Sequence, residues 1–288
     1  MRRRMFLMGG VTLALTMRGK AWAGEKETIP LWPGDPPGPG PGLMAGVFDR
    51  ASPALTVIRP VRPNGAAMLI APGGGYRRLN SRTSAMPAAA WLATRGVTAY
   101  VLRYRLPADG WTAGAPLQDA QRAMRLIHGQ PGIDPTRIGT LGFSAGGHLT
   151  ALAAARAKEE LYAPIDAVDS APARPAIVGL LYPVISLLPP NDRTSTRKQL
   201  AGDDTRAAEA FSVERHVTPE MPPVFLAHAM DDPIARVDNA RLMQAACIRA
   251  HVTIELHLFK AGGHGWAMGH GETSQWPEFF ATWLGSHG

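Results

Sequence analysis

Residues 137–149 read Arg137-Ile138-Gly139-Thr140-Leu141-Gly142-Phe143-Ser144-Ala145-Gly146-Gly147-His148-Leu149, and this stretch decides the fold. Up to Phe143 it is a short, nearly apolar run, the pattern of a strand buried on both faces. From Ala145 to Lys158 the chain is rich in alanine, the strongest helix former. Strand therefore passes to helix at Ser144. A serine hydroxyl is a poor nucleophile until a base is held beside it in a fixed direction. A tight strand-to-helix turn presents it that way, and the glycines at 142 and 146 relieve the crowding. The helix start also offers an unpaired N–H, that of Ala145, where negative charge develops in acyl transfer. The plain alternative is a glycine-softened turn carrying an exposed serine. The strand before it and the helix after it favour the nucleophile.

Working outward, the same alternation continues on both sides. The pattern predicts strands at Leu55–Arg59, Ala67–Ala71, Val97–Arg103, Arg137–Phe143, Ala176–Tyr182, Val224–His228 and Thr253–Phe259. Between them it predicts helices at Ser84–Arg95, Pro116–Gly129, Ala145–Lys158, Val237–Ala250 and Gln275–Gly285. Strand–helix alternation implies an α/β class, with a mostly parallel sheet and helices on both faces. Residues 187–223 break the rhythm and are expected to form a small cap or a long loop over the site. Residues 51–288 would then be one catalytic domain.

The strand Ala67–Ala71 runs directly into Pro72-Gly73-Gly74-Gly75-Tyr76. Three glycines after a strand can turn backbone N–H groups toward one point with no side chain in the way. Gly74 and Gly75 are the expected oxyanion donors, with Ala145 as the partner donor. A phosphate loop is disfavoured, because no lysine follows and the second glycine of that motif is missing.

A base is expected later in the chain. His264 stands in Gly262-Gly263-His264-Gly265-Trp266, just past the last predicted strand, and is the favoured candidate among nine histidines. His148 is expected on the helix after Ser144, pointing away from it. His228 ends a strand, and His270 is a weaker rival. The orienting acid is expected after Val224–His228, where Asp231 and Asp232 are adjacent. Two neighbouring aspartates cannot both face one ring. Their other use is turn and helix capping. Tyr76 and Trp266 flank the predicted loop and base. They are expected to wall the substrate pocket, by stacking on sugar rings or lining an acyl site.

The N-terminal 23 residues read as an address. Arg2, Arg3 and Arg4 precede a short apolar run, and Ala21-Trp22-Ala23 has the small-x-small pattern of a signal-peptidase site. Arg3-Arg4-Met5-Phe6-Leu7 resembles a twin-arginine export motif; a general secretory signal or an uncleaved anchor are the alternatives. Export to the periplasm or medium is expected, with no membrane span left after cleavage. Residues 24–50 read as an extended arm. Within it residues 33–42, rich in proline and glycine, are unfit for helix or sheet. The net charge is +7, but five of the basic residues lie in residues 1–23, which hold no acid. The remaining +2 does not suggest a nucleic-acid surface. The single cysteine, Cys247, excludes an internal disulfide and a cysteine zinc cluster, and is expected to be a buried apolar residue. No cofactor or metal is called for. The expected partner is a small-molecule or oligosaccharide ester.

Several of these motifs together carry a resemblance. ProGlyGlyGlyTyr at 72–76, GlyPheSerAlaGlyGlyHisLeu at 142–149, HisAlaMetAspAspPro at 228–233 and GlyGlyHisGlyTrp at 262–266 stand in the order seen in α/β-hydrolases of the acetyl esterase and acetyl-xylan esterase type. GlyIleAspProThrArgIleGly before the turn, LeuArgTyrArgLeuPro near Tyr104, and Ile29-Pro30-Leu31-Trp32-Pro33-Gly34 are similar to the same family. The resemblance spans residues 29 to 286. It implies a triad of Ser144, Asp232 and His264, since the acid usually stands four residues after the strand-ending histidine. It implies an oxyanion loop at Gly73–Gly75. It also implies removal of O-acetyl groups from xylan-type carbohydrate. Two positions depart from the pattern: Ala235-Arg236 replaces a common Val-Pro, and Pro72 stands where the lipase branch usually has histidine. A general short-chain esterase or lipase, or a peptidase or amidase, shares the scaffold. So does a catalytically silent binding protein, which the filled triad positions disfavour.

Overall fold

The computed structural model describes residues 27–40 and 52–287. The export signal read in residues 1–23, and the parts of the arm at 24–26 and 41–50, lie outside them.

Eight strands form one sheet in the order β1-β2-β4-β3-β5-β6-β7-β8. They are β1 (Glu27–Pro30), β2 (Ala54–Ile58), β3 (Ala67–Ala71), β4 (Thr98–Arg103), β5 (Ile138–Phe143), β6 (Ile177–Leu181), β7 (Val224–Ala229) and β8 (Ile254–Phe259). β1 and β2 are antiparallel to their neighbours, and β3 to β8 are parallel. The inner parallel strands β3, β5, β6 and β7 are buried throughout and read as apolar or nearly apolar runs because both of their faces are covered, whereas the edge strand β8 carries Glu255 and His257. β3 shows the division. Ala67, Leu69 and Ala71 join one core, while Met68 and Ile70 join the other. The first core is closed by α2 (Ala115–His128), α3 (Ala145–Ala155) and α6 (Asp238–Arg249), through Leu117, Met124, Leu149, Leu152 and Met243. The second is closed by α1 (Met86–Thr94) and the C-terminal helix Trp276–His287, through Leu92, Trp276, Phe280 and Trp283.

Each predicted strand and helix is present, with ends displaced by at most three residues. One strand and two α-helices were not foreseen. Glu27–Pro30, read as part of an extended arm, pairs with β2 at the sheet edge. Within residues 187–223 lie two short helices, α4 (Ser195–Leu200) and α5 (Thr205–Ala210), capped by the side chains of Thr194 and Asp204. Cys247 is buried in α6, and burial pushes its thiol up to about 12. Among the described residues no helix is long and apolar enough to cross a membrane.

From β3 the chain moves outward to β4, then returns past β3 to β5. The order therefore reverses between β3 and β5. In open α/β sheets this switch point opens a crevice at the carboxyl ends of the strands. The glycine loop leaves β3 there, and Ser144 leaves β5 there.

Candidate active site

Ser144 sits at φ 54° and ψ −118°, between the end of β5 and the first residue of α3. A non-glycine residue in that region stores about 1–3 kcal/mol of strain, so its surroundings must hold it. Its N–H donates to Leu181 O at 2.9 Å, and its carbonyl accepts from His148 N at 3.0 Å. The flanking glycines answer a steric demand. A Cβ at Gly146 would collide with the carbonyl oxygens of Ala71 and Pro72, and one at Gly142 with Thr150 Oγ1 and Gly146 O.

His264 Nε2 lies 2.8 Å from Ser144 Oγ. Its other nitrogen, Nδ1, lies 2.6 Å from Asp232 Oδ2. Asp232 follows β7 and His264 follows β8, so all three groups converge from the carboxyl ends of parallel strands. Asp232 is almost fully buried, and burial would raise its carboxyl. Hydrogen bonds from His228 and His264, the charge of His264, and the Ile234 N–H outweigh that and hold it down at about 2. At neutral pH it is therefore a carboxylate and only accepts. Nδ1 must then carry the proton, which leaves the Nε2 lone pair facing the Ser144 hydroxyl.

The neighbouring Asp231 does other work. Its Oδ1 accepts from Gly262 N at 3.0 Å and Gly263 N at 2.8 Å, which anchors the loop that carries His264. His228 donates from Nε2 to Ala235 O at 2.7 Å and stands 3.3 Å from Asp232 Oδ2. It closes the turn that holds the acid. His148 lies on α3, as read, and faces away from the serine. His270 caps the short helix Gly271–Gln275, away from Ser144.

The glycine loop lies against the serine. A Cβ on Gly73 would stand 3.1 Å from Ser144 Cβ, and one on Gly75 2.8 Å from Ser195 Cβ. Gly74 has φ 131°, and a side chain there would strike Arg78 O. The loop is tied at each end. Tyr104 Oη donates to Pro72 O at 2.9 Å, Asn80 N to Gly73 O at 2.9 Å, and Ser195 Oγ to Gly75 O at 2.9 Å. Ala145 opens α3, where its N–H has no partner within the helix.

The crevice encloses about 310 Å³, with Ser144 and His264 in its wall. Tyr76 and Trp266 are not in that wall, and the expectation that they line the pocket is corrected. Tyr76 has φ 58°, which turns its ring beneath the loop, where it is 1% exposed. Its hydroxyl meets His148 Nδ1 at 2.9 Å. Trp266 is buried against Tyr182, with ring centroids 4.5 Å apart, and against Phe259. The aromatic residues that do line the crevice are Phe143 and Tyr182, the Tyr182 ring edge-on to His264 at 5.0 Å. The position of Tyr182 at the carboxyl end of β6, beside β5, was the available signal. Thr194, Ser195 and Thr196, from the segment that broke the alternation, form part of the facing wall, and Arg77 and Arg78 also line the space.

A strained serine after a central parallel strand, with a histidine and an aspartate arriving from later strand ends, defines an α/β-hydrolase. More narrowly, residues 62–247 match the BD-FAE family model, and the chain belongs to that family. It is 26% identical to an acetylxylan esterase of Xylanibacter ruminicola, over 93% of this chain and 51% of that protein. It is 30% identical to endo-1,4-beta-xylanase B of Butyrivibrio fibrisolvens, over 76% of this chain and 34% of that protein. The chain thus spans about half the length, or less, of these curated relatives. Among solved structures, an acetyl ester-xyloside bifunctional hydrolase from Caldicellulosiruptor lactoaceticus superposes with a TM-score of 0.76 at 32% identity, covering 91% of this chain and 96% of that one. A carboxylesterase from Lactobacillus plantarum superposes with a TM-score of 0.70 at 25% identity, covering 81% and 92%.

Proposed function

We propose that this chain is a serine carboxylic-ester hydrolase that removes O-acetyl groups from xylan-type carbohydrate. The observation that carries the reading is the continuous contact from Ser144 Oγ to His264 Nε2 and from His264 Nδ1 to Asp232. As Ser144 Oγ attacks the ester carbonyl, His264 Nε2 takes its proton, and the imidazolium that forms is stabilised by the Asp232 carboxylate. The carbonyl oxygen becomes an oxyanion, which the N–H groups of Ala145, Gly74 and Gly75 receive. His264 then returns the proton to the departing sugar oxygen. Water, activated by the same histidine, releases acetate from the acyl-serine.

The acetyl specificity rests on relatives named acetylxylan esterase and acetyl ester-xyloside hydrolase, and on a crevice of modest volume. The test is turnover of 4-nitrophenyl acetate and acetylated xylan by the intact chain and by Ser144→Ala. We expect hydrolysis of both by the first and of neither by the second. Activity retained in Ser144→Ala would remove the nucleophile assignment. A preference for a butyrate ester or a peptide anilide over acetylated xylan would remove the substrate assignment.

A further inference from the structure

We infer that the substrate carries an anionic sugar: the crevice is built for an acetyl ester whose alcohol portion bears a carboxylate, as in a uronic acid, held by Arg77 and Arg78. The inference rests on the acetyl-esterase reading above, because an acetyl group is only a methyl and carbonyl, so any charge must sit on the alcohol side.

The charge pattern of the wall is one-sided. Arg77 and Arg78 are both exposed, both line the crevice, and no aspartate or glutamate lines it with them. Among the described residues no carboxylate pairs with either guanidinium. Two unpaired cations at the mouth of a low-dielectric crevice focus a positive potential into it. Arg78 uses only Nε, toward Asn80 Oδ1 at 3.1 Å, which leaves its two terminal nitrogens as donors.

Four hydroxyls of the wall are already engaged with the protein's own backbone. Thr83 and Ser84 donate to Asn80 O, Ser195 donates to Gly75 O, and Thr194 Oγ1 accepts from Arg197 N. The guanidiniums are thus the charged donors left for a ligand. A planar guanidinium matches a carboxylate with two parallel hydrogen bonds. Both arginines grow from the loop that carries Gly73–Gly75, and the Arg78 backbone packs on Gly74. An anion bound there fixes the sugar relative to the carbonyl under attack.

The experiment compares two matched substrates: an O-acetylated neutral xylo-oligosaccharide, and the same oligosaccharide carrying a uronic acid substituent. At low ionic strength we expect kcat/KM to be about five- to tenfold higher on the acidic substrate, mainly through KM, the scale of two exposed charge pairs. Raising salt to about 0.5 M shrinks that ratio, since exposed charges are screened. Arg77→Gln with Arg78→Gln brings the ratio toward one. Arg77→Lys with Arg78→Lys gives an intermediate ratio, because charge is kept and the fork is lost. A ratio at or below one for the unaltered chain, or one that neither salt nor the glutamine pair changes, overturns this inference and leaves the esterase reading intact. No turnover of either substrate removes both.

Discussion

Asp231 and Asp232 are adjacent and chemically identical, yet their carboxylates meet different partners. Asp232 accepts the Nδ1–H of His264 and the backbone N–H groups of Ile234 and Ala235. Asp231 accepts only from Gly262 and Gly263, just ahead of the histidine. One sets the ring's tautomer, and the other sets the loop that carries the ring. Asp232→Asn should therefore lower kcat by about 10³–10⁴, the scale of losing the correct tautomer. Asp231→Asn keeps an acceptor oxygen and should cost about tenfold or less, the scale of one weakened hydrogen bond. Steady-state kinetics on 4-nitrophenyl acetate decides this, and similar losses in the two variants would refute the division. Gly146 supports a prediction about stability. The Cβ of Gly146→Ala meets two carbonyl oxygens of the β3 end, and backbone there cannot yield as a side chain would. We expect a loss of about 2–3 kcal/mol, the upper range for overpacking, read as a lower urea midpoint. The convergence of Ser144 and His264 was legible at this scale because each follows a strand, while the choice of Asp232 over Asp231 came from the family resemblance. Tyr76 and Trp266 were misread because a ring's direction depends on backbone angle and packing, as the positive φ of Tyr76 shows.

The core elements were legible because strands covered on both faces must be apolar almost throughout. β3 and β6 are continuous apolar runs, and β5 and β7 are each broken by one polar residue, Thr140 and His228. The signal failed where an element is short or one-sided. β1 has four residues, carries a glutamate and ends in proline. α4 and α5 have six residues each, too few for helical periodicity, and side-chain caps define them. Such elements depend on tertiary contacts, and His148 supplies one. Its Nδ1 accepts from Tyr76 Oη beneath the glycine loop, while its Nε2–H donates to Phe211 O just after α5. The ring thus joins α3, the loop and the 187–223 segment. Burial disfavours its charged form and brings it down to about 4, although the Phe211 carbonyl opposes that shift. The folded protein binds this proton less readily than the unfolded chain. The contribution is full above the ordinary value of 6.5 and is lost as pH falls from there through about 4. Its size is about 3 kcal/mol. Asp232 adds a separate loss at lower pH, from its ordinary 3.8 down through about 2. Urea midpoints measured between about pH 7 and pH 4.5 should fall more steeply for the parent chain than for His148→Gln, which takes up no proton. Parallel slopes would show that His148 titrates without linkage to folding.

Over the whole molecule, the N-terminal arm is bound to the body through buried charge. Trp32 Nε1 donates to Asp119 Oδ1 at 2.8 Å, and the same carboxylate pairs with Arg105 at 2.9 Å, both charged groups being almost fully excluded from water. Arg105 continues to Pro37 O at 2.6 Å, and Arg122 Nε donates to Leu31 O at 2.9 Å. The proline and glycine residues that forbid regular structure at 33–40 leave carbonyls free, and Arg105 collects that of Pro37. A buried ion pair contributes little net stability when intact, but removing one partner strands the other charge. Asp119→Ala should therefore cost about 3–5 kcal/mol, with Arg105 left in place and unpaired. Trp32→Phe keeps an aromatic ring against Tyr162 and removes only the indole donor, for about 1–2 kcal/mol. Because both losses act on one carboxylate, they should not add. Once Asp119 is gone, the indole N–H has nothing to donate to, and Trp32→Phe should then cost only its packing difference. Urea unfolding of the two single variants and the double variant gives the coupling, which we expect at about 1 kcal/mol or more. Strict additivity would mean that the arm is held by the apolar contacts of Leu31 and Trp32 alone, and that the shared carboxylate does not fasten it.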